Sequence, residues 1–215
     1  MKIRKISPPY LYAAHYKDDK LNIYRLTYEK LTDMEYLSDF FDRFKDQISD
    51  YLVTELGIER DEIEEYQAEV NDRMIDIDEE ITNICRDIID GKAKDFGNYF
   101  EPHSSKDFRK NPDGGGKSMK YNTDYLPVKC WGASKPSLVR IYAIELAKSC
   151  YIIIYGGIKI DLDTNNCPDI DKDGKETVLE EELRKQVVTV CSFLQEKGII
   201  DPEGLEQFME ENDED

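Results

Sequence analysis

The first part of the chain alternates between short apolar segments and turn signals. Segments 2–6, 10–16 and 21–28 are rich in aromatic and β-branched residues, and they are separated by Ser7-Pro8-Pro9 and by the charged stretch 17–20. Short segments of this composition between turn residues are typical of β-strands. The pattern predicts three strands, with a hairpin between the second and the third.

A helical period replaces this pattern after residue 31. Thr32 and Glu35 have the spacing of a capping box, in which each side chain bonds a backbone N–H of the first turn. Apolar residues then recur every three or four positions, which predicts an amphipathic helix: Met34, Leu37, Phe40, Phe41, Phe44 and Ile48.

A longer helix is predicted from Asp61 to Ile89, where apolar residues keep steps of three and four over about four heptads. Gly91 suits the residue that follows the helix. Two interpretations remain open. The helix is either a coiled-coil or partner-binding arm, with a homodimer through 61–89 as one form, or a long helix that lies on its own domain.

The second half contains the clearest strands. Leu138–Leu146 and Cys150–Ile160 are apolar on both faces, which is typical of central strands covered from two sides. Helices are predicted at Thr177–Lys197 and Pro202–Glu210, since Pro202 suits a first helical turn.

These elements predict an α+β fold, with a central, mostly antiparallel sheet packed with helices and a long helical insertion. A chain of 215 residues fits one domain spanning 1–215. The expected organisation within it is a helical insertion at about 58–91, a flexible polar loop at about 92–128, and an acidic tail at 206–215.

Charge narrows the functional classes. The net charge is −18, and such a field repels phosphate backbones unless basic residues are concentrated locally. General coating of nucleic acid is therefore disfavoured, whereas the acidic charge suits a basic partner or a nucleic-acid mimic equally well. Residues 1–5 and 106–120 are locally basic, whereas 59–80 and 206–215 are acidic.

The cysteines and the N-terminal sequence suggest a cytoplasmic location. Five widely spaced cysteines without a CxxC pair indicate reduced thiols rather than disulfides or a zinc site. The first residues lack the apolar stretch of about 7–15 residues that is typical of a secretory signal. No apolar run approaches the roughly 20 residues of a membrane span, so no membrane association is expected.

A possible calcium loop begins at Asp169. Asp169, Asp171 and Asp173 occupy positions 1, 3 and 5, Gly174 occupies position 6, and Glu180 occupies position 12 of the twelve-residue calcium pattern. The alternative is an acidic turn that leads into a helix, where carboxylates suit the helix dipole. No other cofactor is expected.

Arg140 lies within an apolar strand, on the same face as Tyr142 and Ile144 by strand alternation. A buried arginine needs a partner, so it forms either a salt bridge with one of the many carboxylates or a bidentate contact with a bound phosphate. Further side chains of the same region add positive charge or an aromatic surface: Lys117, Lys120, Lys129, Trp131, Lys135 and Lys159.

The two histidines, His15 and His103, have no triad or ligand spacing. Histidine-based acid–base catalysis therefore has little support, and the sequence leaves open whether the protein is an enzyme.

The stretch from Ser137 to Leu146, followed by the stretch from Tyr151 to Lys159, resembles the "R-I-Y-A-I-x-L … G-G-x-I-K" core of a family of largely uncharacterised Bacteroidetes proteins. That core in turn resembles the central hairpin of RelE-like toxins, in which a basic strand residue faces RNA and an antitoxin covers the site. The resemblance covers about a third of the chain.

The resemblance implies a toxin–antitoxin-associated protein that cleaves RNA. Under it, Arg140 holds the scissile phosphate, Lys159 and Lys117 offset developing charge, and Trp131 stacks on a base beside Lys120 and Lys135. The main alternative is a non-enzymatic interaction protein, such as a phage-defence or mobile-element factor, that uses an acidic helical surface. A calcium-binding module through Asp169–Glu180 is the second alternative.

Overall fold

The computed structural model describes residues 1–55, 57, 65–97, 99–102, 125–130, 137–147, 150–161, 166–171 and 173–212. Its elements, in chain order, are β1 (Lys2–Ser7), β2 (Leu11–His15), α1 (Ile23–Thr32), α2 (Met34–Arg43), α3 (Lys45–Glu55), α4 (Glu65–Ile89), β3 (Glu101–Pro102), β4 (Leu126–Cys130), β5 (Val139–Ala147), β6 (Cys150–Ile158), β7 (Pro168–Ile170), β8 (Glu176–Val178), α5 (Leu179–Glu196) and α6 (Pro202–Asn212).

The main sheet has the strand order β1-β2-β6-β5-β4-β3, and β7 and β8 form a separate two-stranded hairpin. Every pair in the main sheet is antiparallel except β2 and β6, which are parallel. The prediction of an α+β fold around a mostly antiparallel sheet is therefore confirmed. The β5–β6 hairpin occupies the centre of the sheet, as its two-sided apolar sequence indicates.

The predicted strand at 21–28 is wrong, because this segment begins helix α1. The Asn22 side chain accepts a hydrogen bond from the backbone N–H of Arg25 at 3.0 Å, which caps the helix. Tyr24, Thr27 and Leu31 are buried at helical spacing. The N-terminal hairpin consequently joins β1 to β2 rather than the second predicted strand to the third.

The helix predicted after Thr32 is present but is divided into α2 and α3. The side chain of Asp33, not that of Thr32, accepts hydrogen bonds from the backbone N–H groups of Glu35 and Tyr36. The Thr32 hydroxyl instead donates to the carbonyl of Tyr28 at 2.7 Å. The capping signal thus lies one residue later than predicted.

The segments expected to be a loop and a tail also contain regular structure. The predicted polar loop at 92–128 includes β3 and the first residues of β4, and its residues 103–124 lie outside the described part of the chain. Most of the predicted acidic tail at 206–215 belongs to α6, in which Leu205 and Met209 are buried.

Helices cover both faces of the sheet. Successive residues of each strand point to opposite faces of the sheet. Those on one face form a core with α1–α4, and those on the other face form a second core with α5 and α6. Within residues 65–89, the apolar seam of α4 lies in the first core, where the helix packs against α1, α2 and β5. The described part of the predicted helical insertion is therefore a long helix that lies on its own domain.

Two adjacent glycines in β6 allow the helices to approach this closely. A Cβ atom added to Gly156 would lie 2.2 Å from Cγ2 of Thr27 in α1, and one added to Gly157 would lie 3.0 Å from Cδ1 of Leu179 in α5. Successive strand residues face opposite sides, so each glycine admits one helical layer.

Replacing Gly156 with alanine is expected to lower the free energy of unfolding by about 1–3 kcal/mol, because the methyl group overpacks the contact with Thr27. The cost should shrink when Thr27→Ala removes the opposing atoms. Urea unfolding of the two single variants and the double variant measures this coupling. Additive effects of the two substitutions would contradict the proposed close contact.

Candidate functional site

Arg140 and Lys159 lie at the same end of the central hairpin. Arg140 in β5 pairs with Gly157 in β6, and the backbone N–H of Lys159 donates to the carbonyl of Leu138 at 2.8 Å. Strand alternation places Gly157 and Lys159 on one face, so the side chains of Arg140 and Lys159 start as neighbours. We refer to these two residues as the cationic pair.

Backbone carbonyls hold both charged groups of the cationic pair. The Arg140 guanidinium donates from Nη1 to the carbonyls of Ser137 at 2.5 Å and Val139 at 2.7 Å. The Lys159 ammonium donates to the carbonyl of Asp161 at 2.5 Å. These contacts fix the position of the two cationic groups.

The surroundings of the cationic pair are largely removed from water. Burial lowers the pKa of Arg140, although the nearby Tyr142 and Tyr51 oppose that shift. Burial also raises the pKa of the Cys167 thiol, an effect that hydrogen bonding from the backbone and the charge of Lys159 oppose. A guanidinium in such surroundings interacts more strongly with an anion than it does in water.

The other residues predicted for this site, Lys117, Lys120, Trp131 and Lys135, lie outside the described residues. Cys130 and Ser137 flank the segment that contains Trp131 and Lys135, and both lie close to Arg140. The roles predicted for these four side chains therefore stay predictions.

The segment with the calcium pattern forms the β7–β8 hairpin and the start of α5. Asp171 accepts hydrogen bonds from the backbone N–H groups of Asp173 and Lys175, both at 2.9 Å, and thereby stabilises the hairpin turn. Glu180 is buried and lies 3.2 Å from Nε of Arg184. Within the residues that the structure describes, no group of three or more His, Cys, Asp or Glu side chains is arranged to hold a metal ion.

Asp169 forms a buried polar network that the sequence does not predict. Its carboxylate is only 1% exposed and accepts hydrogen bonds from Lys30 Nζ at 2.7 Å, the hydroxyl of Tyr36 at 3.4 Å, and the hydroxyl of Tyr155. We call these four residues the Asp169 network. It joins α1 and α2 to β6 and β7, which lie in the other half of the sequence.

Tyrosine hydroxyls in and beside this network have raised pKa values and remain protonated. Burial, followed by the charge of Asp169, raises the pKa of Tyr155 well above its ordinary value. The neighbouring Tyr142 pairs with Tyr155 across the β5–β6 hairpin, and burial raises its pKa as well, while Arg140 opposes the shift. Tyr142 thus lies between the Asp169 network and the cationic pair.

The outer side of α4 carries a regular row of carboxylates. Five exposed acidic residues follow one another at spacings of four and three, which places them on one side of the helix: Glu65, Glu69, Asp72, Asp76 and Glu79. We call this row the acidic face. Arg73 is buried beside this row and lies 3.3 Å from Asp76 of the acidic face and 3.2 Å from Glu80, whose carboxylate accepts from the Tyr99 hydroxyl at 2.9 Å.

Two exposed apolar side chains lie beside the acidic face. Ile75 is 37% exposed and Met34 is 48% exposed. Nδ2 of Asn71 lies 3.6 Å from the Met34 sulfur, and Asn71 is one helical turn from Ile75. Sequence reasoning identified the acidic character of α4 but not this apolar component, which α2 contributes.

Among the described helices, none has the length and apolar character that a membrane span requires. The comparisons with known proteins returned no matching family model, no matching curated protein and no matching solved structure. The class that the fold defines is therefore an α+β protein with helices on both sides of its sheet, and the function has to be inferred from its own residues.

Replacing Asp169 with asparagine is expected to lower the free energy of unfolding by about 3 kcal/mol, because Lys30 would lose its charged partner within the fold. Urea unfolding measures the change. The matched control is Asp39→Asn, which removes an exposed carboxylate 2.8 Å from Arg43 and should have little effect. Equal stability of the two variants would show that the Asp169 network contributes no more than a surface pair.

Proposed function

We propose that this protein is a non-enzymatic interaction protein that binds a basic protein partner through the acidic face of α4. The observation that carries this proposal is the unbroken row of five exposed carboxylates on one side of a helix whose other side is anchored in the core. A rigid helix holds these charges at fixed positions, which favours recognition of a partner with matching cations.

The energetics of the row support a charged partner. Carboxylates three and four residues apart on a helix repel one another by a few tenths of a kcal/mol per pair. Arg73 lies 3.3 Å from Asp76 and offsets part of this repulsion, and the cations of a partner would relieve the rest on binding. Ile75 and Met34 add apolar area beside the charges, and interfaces commonly combine an apolar centre with a polar rim.

The test uses a synthetic amphipathic helix with lysines every three or four residues along one side and leucines beside them. Neutralising three carboxylates, with Glu65→Gln, Asp72→Asn and Glu79→Gln, should weaken binding of this peptide at least tenfold, or about 1.4 kcal/mol. Fluorescence anisotropy at low and high salt measures the dissociation constant.

The control changes the net charge by the same amount at three exposed helical carboxylates away from α4, with Asp46→Asn, Glu203→Gln and Glu210→Gln. This variant should bind within about twofold of the parent if the acidic face is the site, since distant exposed charges are screened beyond about 8 Å. Equal weakening of both variants would mean that the peptide responds to net charge alone and would refute the proposal.

A second function is proposed from the cationic pair, namely that of a RelE-like, RNA-cleaving toxin. It is supported by the position of Arg140 and Lys159 on neighbouring strands in surroundings removed from water. An RNA phosphate bound there would meet two fixed cations. No side chain of the described residues stands out as a general base, which makes this the weaker of the two proposals.

Inducing the protein alone in a bacterial host tests the toxin proposal. Growth should stop with the parent chain and recover with Arg140→Ala or Lys159→Gln, provided that circular dichroism shows each variant to be folded and that expression is matched. The lysine substitution serves as the second variant because Lys159 lies just beyond the end of β6, whereas Arg140 lies within β5. Normal growth with abundant, folded parent protein would rule this function out.

A further inference from the structure

We propose that the outer edge of β1 is a docking site for an extended, acidic segment of a partner protein, which would add a further strand to the main sheet. This site is separate from the acidic face and does not depend on the function proposed for α4. The occupant is a strand rather than a helix, and its charge is opposite to that of a partner for α4.

The position of β1 provides the hydrogen-bonding groups. β1 lies at the end of the strand order, and among the described residues its only strand neighbour is β2. An edge strand presents a row of backbone N–H and C=O groups with which another chain can pair. The regular pairing of Lys2 to Lys5 with β2 extends over about 14 Å.

The strand is held firmly enough to serve as a template. Ile3 is 4% exposed and belongs to the core beneath α5 and α6, while Ile6 packs against the core on the opposite face. Because side chains on both faces anchor β1, its backbone is already in the geometry that an added strand requires. Docking would therefore cost conformational entropy only in the incoming segment, because β1 is already ordered.

Charge selects an acidic occupant. Lys2 and Arg4 are exposed and share one face of β1, and Lys5 is exposed on the other face. Nε of Arg4 lies 3.3 Å from Nδ1 of His15 on β2. This basic edge occurs in a chain with a net charge of −18, so it contrasts with the molecule as a whole.

The same charges disfavour a second copy of this chain. Two β1 strands that met across a two-fold axis would bring Lys2 and Arg4 of one copy beside the cations of the other, and like charges opposite each other destabilise strand pairing. The opposite edge of the main sheet is β3, whose two residues include a proline that lacks an N–H. Within the described residues, β1 is thus the better edge for strand addition.

The probe is a capped hexapeptide of alternating glutamate and valine, together with two forms that carry N-methyl groups on one or the other alternate set of residues. Strand addition predicts that the form with methyl groups facing β1 binds at least tenfold more weakly, whereas the other form binds like the parent peptide. A purely electrostatic contact predicts equal binding of all three, and this outcome would overturn the proposal. So would failure of the parent peptide to bind at millimolar concentration.

Charge variants locate the contact. Lys2→Gln with Arg4→Gln should weaken binding of the parent peptide at least tenfold, whereas Lys45→Gln with Lys94→Gln, an equal change at exposed sites elsewhere, should leave it within twofold. Equal effects of the two pairs would overturn the proposal. Sedimentation of the protein without peptide tests whether a second copy occupies the edge. The double variant Lys2→Gln with Arg4→Gln should remain a monomer if the parent is one. A dimer that this variant strengthens would make a second copy the occupant and would overturn the proposal.

Discussion

All nine residues of β6 are buried, so this strand has to be covered on both faces. Most of the remaining architecture follows from this requirement. The adjacent Gly156 and Gly157 remove side-chain volume on opposite faces at the point where α1 and α5 approach. Without that space, the two helices would have to lie farther from the sheet, and the cores on both sides would lose packing contacts.

Burying β6 on both faces also creates the need for the Asp169 network. A carboxylate removed from water is costly unless cations and hydrogen-bond donors surround it. Lys30, Tyr36 and Tyr155 supply those donors from three different elements, and the backbone N–H of Ile170 adds a fourth at 2.8 Å. Asp169, the first carboxylate of the calcium pattern, thus connects the β7–β8 hairpin to α1 and α2.

The sequence predicts a segment reliably when its apolar residues fit only the two-residue repeat of a strand or only the 3.6-residue repeat of a helix. It fails when the segment fits both repeats. The continuous apolar runs of β5 and β6 are too short for helices between their turn signals, and both were predicted correctly. The apolar and aromatic residues of 21–28 satisfy both periods, and the deciding feature is the cap formed by Asn22. Propensity alone does not reveal such a local hydrogen bond.

The candidate sites also differ in how far the sequence predicts them. Strand register alone brings Arg140 and Lys159 together, so an argument from two neighbouring strands identifies them as a pair. The contact between Lys30 and Asp169 spans 139 positions and arises only when α1 packs against β6. No pattern in a single sequence encodes this packing of a helix against a distant strand. The sequence therefore does not predict the Asp169 network.

The charge distribution suits the proposed protein partner better than it suits RNA. A net charge of −18 repels a polyanion that comes within the screening distance of about 8 Å at physiological salt. RNA would have to reach the cationic pair against that field, and the carbonyls of Ser137, Val139 and Asp161 already occupy part of its donor capacity. A basic partner that approaches the acidic face of α4 meets no such repulsion. The inner side of α4 is committed to the core, so the helix cannot turn its carboxylates away, and a basic partner gains from the same field that RNA would have to overcome.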